Sequence, residues 1–479
     1  MKPTPILGNE TGLYTDFYEF SMAQAFFLSG KVATPARFDY FFRENPFNGG
    51  YVLFAGLADL LDALDSFRFD EEHLEFLGGQ GLDERFLEYL KDFRFRGTIV
   101  SVKEGEVVFP MEPVVSVEGT MVETQLIETL LLNLLNFESL IATKASRIRE
   151  VAGGRRIADF GLRRAQGLGG IQATKASIIG GVDATSNVHT AYRYGLEVTG
   201  TQAHSWIQSF DDELAAFRKF AEIFPDRCVL LVDTYNTLKS GVPNAITVAR
   251  ELKQKGRELA GIRLDSGDLA YLSKQARVML DEAGFPSVRI VASNQLDEYV
   301  IRSLMEQNAP IDAFGVGTRL VTGQPTAALD GVYKLAESDG KPRLKFSENF
   351  AKITLPGRKK VLRSVDRDGM FYADAIVLDD EVELDWIYHP FFPENRSSVK
   401  SYRSSVLLEK VMDRGERVSR WKIAESRQYA EDRLSHLSPE HRRFENPHVY
   451  KVGISKRLLD LRTRLVDQFH ETLPEGGKS

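Results

Sequence analysis

Short apolar runs punctuate the middle of this chain at near-regular intervals. RIADFG (156–161), LEVTGT (196–201), CVLLVDT (228–234), LAGIRLDS (259–266), VRIVASN (288–294) and IDAFGVGT (311–318) each close on a polar or glycine-containing turn. Between them the apolar period lengthens from two toward 3.6. Leu269, Leu272, Ala276, Met279, Leu280 and Ala283 fall on one helical face, as do Leu296, Val300, Ile301 and Leu304. Strand, turn and amphipathic helix is thus the recurring unit of residues 146–340, the pattern of an α/β fold.

The flanking zones read differently. Within residues 1–145, TIVSVKEGEVVFPMEPVVSVEG (98–119) alternates apolar and polar positions around Glu104-Gly105 and Pro110, which predicts short antiparallel strands joined by turns. The stretch from Met121 to Gly153 follows, too apolar to be solvated all round and so a buried helix linking two domains. Residues 341–479 are richer in charge. They carry PGRKKVLRSVDRDG (356–369), HPFFPENRSSVKSYRSSV (389–406) and a helical stretch, IAESRQYAEDRLSHLSPEHRRF (423–444). Each basic run, taken alone, reads as a solvated loop or helix face.

Composition narrows the function classes. With 479 residues, 43% of them hydrophobic, the chain can bury a large core. A net charge of −7 with interspersed signs offers no broad basic face to nucleic acid or to an anionic membrane. The single cysteine, Cys228, excludes an intrachain disulfide and a cysteine-based zinc cluster, and fits a reducing cytoplasm. The N-terminal stretch lacks the pattern of an export signal, and no run of 18 apolar residues occurs.

The chemically capable residues lie where the apolar runs end. Arg163, Asp183, His204, Asp233, Asp265, Asn294 and Thr318 are spread over the middle zone, most of them just past a predicted strand. A β/α barrel gathers the C-terminal ends of its strands into one rim; an open doubly wound sheet collects only some of them at a switch point. The expected architecture is therefore an α/β one, an irregular β/α barrel over 146–340 flanked by the zones 1–145 and 341–479.

Individual motifs sharpen the chemistry. In DFGLRRAQG (159–167) an arginine fork, Arg163 or Arg164, suits a carboxylate or phosphate, and Phe160 can stack on an aromatic ring; a structural ion pair is the plainer reading of two adjacent arginines. In IRLDSGDLA (262–270) capping accounts for Ser266 or Asp268 but not for Arg263 and Asp265 beside them, which can hold an acid and, through Mg2+ or ribose hydroxyls, a polyol phosphate. In FGVGTRLVTG (314–323) Gly315 and Gly317 let backbone approach a ligand, with the Thr318 hydroxyl as a donor; no GxxxxGK[ST] loop occurs. His204, in GTQAHSW (200–206), shares the same rim.

Taken together, these segments resemble nicotinate phosphoribosyltransferases from about residue 10 to the tail. The matching stretches are TDFYEFSMA (15–23), FDYFFRENPFNGGYVLFAGL (38–57), FGLRRAQG (160–167), GGVDATSNV (180–188), GTQAHS (200–205), GIRLDSGDL (261–269), ASNQLDE (292–298), GVGT (315–318), GVYKL (331–335) and HLSPEHRR (436–443). The resemblance implies a type II phosphoribosyltransferase fold, an irregular, TIM-like β/α barrel with an N-terminal α/β domain and a C-terminal extension that partly completes it, and a homodimer with shared active sites. It implies transfer of phosphoribose from phosphoribosyl pyrophosphate (PRPP) to nicotinate, driven by ATP with Mg2+, in NAD salvage. His204 matches the histidine that ATP phosphorylates. Tyr18, from the neighbouring subunit, and Phe160 sandwich the pyridine; Arg263 and Thr201 lie at the nicotinate, with Arg163 beside it and Asp183 near the base. Asp265 addresses ribose and Mg2+, Ser293 and Asn294 join the substrate site, and Gly317 and Thr318 receive the phosphate.

Other readings stay open on the residues alone. Nicotinamide or quinolinate can replace nicotinate, although quinolinate's second carboxylate asks for more cations than the motifs supply. A sugar-phosphate aldolase needs a strand-end lysine, for which Lys175 is the one candidate. A catalytically dead binding protein would have no reason to keep His204, Arg263 and Asp265 together.

Overall fold

The computed structural model describes residues 8, 10–346 and 354–472, so the outer ends of the first and last sequence zones lie outside the described residues. The chain folds into two compact units, one of residues 1–140 with 328–479, the other of residues 141–327. The first division falls inside the helix Glu128–Ala152.

The second unit is built on six parallel strands, β1 (Arg156–Asp159), β2 (Ala184–Thr185), β3 (Val229–Leu231), β4 (Gly261–Leu264), β5 (Arg289–Ser293) and β6 (Ala313–Val316). They pair in the order β2-β1-β6-β5-β4-β3, with the first strand beside the last. Among the described residues no ladder joins β2 to β3. The run 196–201, expected as a strand, contributes only a bridge between Thr185 and Val198. Its residues are half-buried or exposed, Val198 at 53%, so little apolar burial holds it in a ladder. Ala184–Thr185, too short to stand out in the sequence, takes a strand place instead.

The helices after β4 and β5, Leu269–Glu282 and Glu298–Glu306, start at the aspartates that the strand-turn-helix unit requires. Asp268 accepts from the N–H of Tyr271 at 3.0 Å, and Asp297 from those of Tyr299 and Val300 at 3.1 and 2.9 Å. Cys228 precedes β3 and is buried, which pushes its thiol up to about 12 and leaves it a structural, unreactive group.

The first unit carries a seven-stranded sheet in which Pro35–Phe42 pairs antiparallel with Gly331–Ser338 on one side and Val115–Thr120 on the other. Seven of the eight residues of Pro35–Phe42 are buried, as expected of a central strand. Thr98–Ser101 pairs antiparallel with Val115–Thr120, matching the alternation read around Glu104-Gly105. A six-stranded sheet is formed wholly from residues 359–454, in the order 396–398, 386–388, 452–454, 371–378, 359–365, 403–406. After Val115–Thr120 a capping box between Thr120 and Glu123 starts the helix Met121–Leu126, and Glu128–Ala152 follows after one residue. Among the described residues no helix is long and apolar enough to cross a membrane.

Candidate active site

The C-terminal ends of β1 and β3 to β6 converge in the second unit, and Arg263 on β4 is the centre of the cluster. Its Nε donates to Ser293 Oγ at the end of β5 (2.8 Å), one Nη to Asp265 Oδ1 (2.9 Å), and the other to Thr201 Oγ1 (3.1 Å). The guanidinium carbon also lies 5.5 Å from the centroid of Phe160, which follows β1. A cation held by three fixed partners beside an aromatic face is preorganised for a planar anionic ring.

Asp265 is the second hub. Burial works to raise its carboxyl, but the Ser293 hydroxyl donated to Oδ1 and the Arg263 charge outweigh it and hold the group below its ordinary value. Its backbone N–H donates to Asp233 Oδ2 at 2.8 Å, and the Ser266 hydroxyl donates to the same oxygen at 2.6 Å. Asp233 Oδ1 is buried without a hydrogen-bond partner. Asp265 Oδ2 faces His204 Nε2 at 3.9 Å. An orphaned carboxylate oxygen close to an ionised one suits Mg2+, which takes one or two carboxylates beside phosphate and water. Among the described residues no group of three or more His, Cys, Asp or Glu side chains gathers for a metal.

His204 opens the short helix His204–Gln208, its side chain 40% exposed, with Nδ1 3.0 Å from the Thr234 hydroxyl just past β3. The imidazole therefore stands at the wet edge of the Arg263–Asp265 cluster with one nitrogen fixed and the other turned to the carboxylate.

The turn after β1 is tied down by Asp159, fully buried, which accepts from Gly161 N–H (2.8 Å), the Thr174 hydroxyl (2.7 Å) and the Thr185 hydroxyl (2.9 Å). Burial raises its carboxyl despite these donors. At Gly315 on β6 a side chain's Cβ would come within 2.4 Å of the Phe160 ring, so only glycine admits the ring there. Gly317 caps the short helix Thr318–Val321, with Thr318 exposed at its start. Asn294 is exposed and adopts φ 80°, which turns the chain sharply after β5. Beside these residues a cleft of about 370 Å³ runs past Asp265, Ser293, Asn294 and Arg319.

Arg263, Asp265, Ser293, Thr201, Phe160 and His204 are thus brought together, with Asn294, Gly317 and Thr318 on the neighbouring loops. Arg163 and Arg164 both lie exposed in the turn Leu162–Arg164, so the fold does not choose between them. Asp183 is not brought to the cluster. It precedes β2, where its Oδ2 accepts from the N–H of Ile157 (2.8 Å) and from Arg149, an engagement at the N-terminal side of the strands. Lys175 is buried within the helix Gly169–Ile179 rather than at a strand end, which removes the aldolase reading. Tyr18 belongs to the first unit, on the helix Phe17–Leu28, and is 47% exposed. Sequence reasoning did not single out Thr234, the Asp159 tether, or Arg319, which pairs with the capping Asp297. The DT pair at 233–234 just past an apolar run was the available signal for the first.

Three family models match in succession: the nicotinate phosphoribosyltransferase N-terminal domain over residues 13–136, the nicotinate phosphoribosyltransferase family over 155–367 and the C-terminal domain over 358–462. Nicotinate phosphoribosyltransferase of Bacillus subtilis (strain 168) is 42% identical across 96% of this chain and 97% of that protein. The chain belongs to the nicotinate phosphoribosyltransferase family. The Caenorhabditis elegans nicotinate phosphoribosyltransferase is 37% identical over 93% of this chain and 92% of its own. Human nicotinic acid phosphoribosyltransferase superposes with a TM-score of 0.85 at 32% identity, covering 94% of this chain and 99% of that one. Nicotinate-nucleotide pyrophosphorylase from Pyrococcus furiosus, at 24% identity and a TM-score of 0.71 over 89% of this chain and 96% of its own, shares the fold.

Proposed function

We propose that this chain joins nicotinate to PRPP, giving nicotinate mononucleotide and pyrophosphate, and that it couples the transfer to ATP through phosphorylation of His204. The observation that carries the reading is the Arg263 cluster: a guanidinium fixed by Ser293 and Asp265, lying against Phe160, with His204 at its edge. The pyridine ring stacks on Phe160, and its carboxylate takes the Arg263 Nη edge that Thr201 borders.

Breaking the C1–O bond of PRPP builds positive charge on the ribose and negative charge on the departing pyrophosphate, while the pyridine nitrogen attacks C1 from the opposite face. Asp265, ionised, accepts from the ribose hydroxyls and offsets the developing positive charge; backbone amides around Gly317 and the Thr318 hydroxyl hold the 5′-phosphate. When bound, Mg2+ would neutralise the pyrophosphate oxygens, with Asp233 and Asp265 as its protein ligands. With Nδ1–H donated to Thr234, the free lone pair of His204 lies on Nε2, which accepts the γ-phosphoryl group of ATP as ADP leaves. The phosphohistidine adds negative charge beside the Asp265 site and can favour Mg2+-pyrophosphate there.

The irregular barrel belongs to the same reading. With β1 next to β6, the strand order is that of a sequential barrel opened between β2 and β3. The segment 197–202 spans that opening: the Thr185 N–H donates to Glu197 O (3.0 Å), Thr199 N–H to Thr185 O (2.9 Å), and Gln202 Nε2 to Val229 O (3.2 Å). A homodimer in the cytoplasm, with Tyr18 lent by the partner as the second face of the base site, fits the exposed Phe17, Tyr18 and Leu28 on one short helix.

The test is pyrophosphate release from PRPP with nicotinate, nicotinamide or quinolinate, each with and without ATP. Fastest release with nicotinate, stimulated by ATP, is the expected result. Faster release with either other base would replace the assigned substrate.

A further inference from the structure

Two basic segments of residues 341–479 take no part in the rim; one lines a second cavity, wholly within the first unit, and the other packs behind it. It measures about 560 Å³ and is lined by residues 45, 49–50, 109–111, 387, 389–391, 394–397 and 447–453. That size falls within the roughly 300–1,000 Å³ of small-molecule sites. The segment HPFFPENRSSVKSYRSSV forms one wall. HLSPEHRR braces another, where His441 Nδ1 lies 2.7 Å from the His448 carbonyl oxygen.

Strand pairing sets the lining. Tyr388 pairs with Arg396 on one side and Ile454 on the other, so the hairpin carrying Arg396 lies beside the strand that Lys451 precedes. The floor is the stacked pair Phe109 and Tyr450, ring centroids 3.7 Å apart, with the Tyr450 hydroxyl donated to Asp374 at 3.1 Å. That floor is apolar and fixed.

The cations around it are not compensated. Arg396 lies over the Trp386 ring at 4.6 Å and Lys451 over the Tyr372 ring at 4.1 Å, and among the described residues neither has an acidic partner. Glu394 is the one acid among the lining residues. His389 Nδ1 accepts from the backbone N–H groups of Phe391 and Phe392, both at 3.2 Å, which places its remaining proton on Nε2 as a donor. Asn45 Oδ1 is buried with no hydrogen-bond partner. Met111, in the lining, has φ 75°, a left-handed backbone that bulky side chains avoid, and such strain collects at ligand sites.

We propose that this cavity is a second ligand site, for an aromatic anion of the nucleoside monophosphate class. The base lies over the Phe109–Tyr450 floor, and the phosphate sits between Arg396 and Lys451, with His389 Nε2–H as a further donor. The site is independent of the Arg263 rim and of the reaction assigned to it.

The probe is AMP, titrated calorimetrically into the full chain. A saturable site is expected, weakened at least about tenfold by Arg396→Glu and by Lys451→Glu, and retained in Arg263→Ala. Inorganic phosphate alone should bind the wild type at least about tenfold more weakly than AMP. Both reversed side chains are exposed, so thermal melting should match wild type. The proposal falls if AMP does not saturate, if both charge reversals leave its affinity unchanged, if Arg263→Ala abolishes it, or if phosphate binds as tightly as AMP.

Discussion

The hydroxyl of Thr234 lies 3.0 Å from Nδ1 of His204, while Nε2 of the same ring faces Asp265 at 3.9 Å. One nitrogen is fixed by the residue that follows β3, and the other is presented to the carboxylate that follows β4. If Nε2 accepts the phosphoryl group, His204→Ala should abolish stimulation by ATP, and Thr234→Val should slow phosphohistidine formation by about fivefold to tenfold, the value of one lost hydrogen bond. Incorporation of acid-labile label from γ-labelled ATP measures both. Undiminished ATP stimulation in His204→Ala would remove the coupling.

Arg263→Lys separates charge from shape. A lysine keeps the cation but cannot donate at once to Ser293, Asp265, Thr201 and a carboxylate. KM for nicotinate should rise about tenfold to a hundredfold, with a much smaller rise for nicotinamide, which lacks the carboxylate. Equal effects on the two bases would show that Arg263 does not read the carboxylate.

The placing of the site residues explains which of them could be read in the sequence. Arg263 and Ser293 lie in short apolar runs and Asp265 and Thr318 just past them, and the parallel sheet carries them to one end of the strands. Asp183 follows a glycine pair and resembles them in sequence, yet it precedes a two-residue strand; a shift of two positions in so short a strand moves a side chain from one end to the other. LEVTGT alternates like a strand, but its exposure leaves it a single bridge. The division of the chain was equally hard to read. Strands 331–338 and 409–413 share a sheet with 35–42, and pairing across some 300 residues leaves no local periodicity.

Gly315→Ala tests the contact that seats Phe160. The added methyl would stand 2.4 Å from Phe160 Cε2 and 3.3 Å from Ser293 Cβ, so the ring must move. Overpacking of this kind costs about 1–3 kcal/mol. KM for nicotinate should rise more than KM for PRPP if the displaced ring forms the proposed base site. A variant with wild-type stability and KM would mean that the ring has room the structure does not give it.

Glu298→Gln probes stability away from the chemistry. Glu298, fully buried, accepts from Arg147 Nε at 3.0 Å and contacts the ammonium of Lys144, itself fully buried. Removing the anion leaves two buried cations short of a counter-charge, a loss of about 3–5 kcal/mol. Denaturant unfolding measures it, and a loss under about 1 kcal/mol would mean that other groups neutralise the pair.

Glu19 gives the pH prediction, because it sits next to Tyr18 on the helix Phe17–Leu28 and is wholly buried. Burial pushes its carboxyl up to about 7; the Gln125 amide and the Tyr18 hydroxyl pull down less, and the nearby Glu128 and Asp16 charges push up further. Gln125 Nε2 donates to Glu19 and, at 3.1 Å, to Glu128, whose other oxygen is 3.7 Å from Lys334. In the unfolded chain the same carboxyl titrates near 4.5. Below that value both states carry the proton and Glu19 has no effect on the pH slope. Between about 4.5 and 7 the unfolded chain releases the proton first, so stability falls as pH rises, and the loss is complete above the folded value. Glu19→Gln, which cannot ionise, should flatten that decline by about 3 kcal/mol over the window. Urea midpoints from pH 4 to 8 would measure it; parallel curves for variant and wild type would assign the titration to another group.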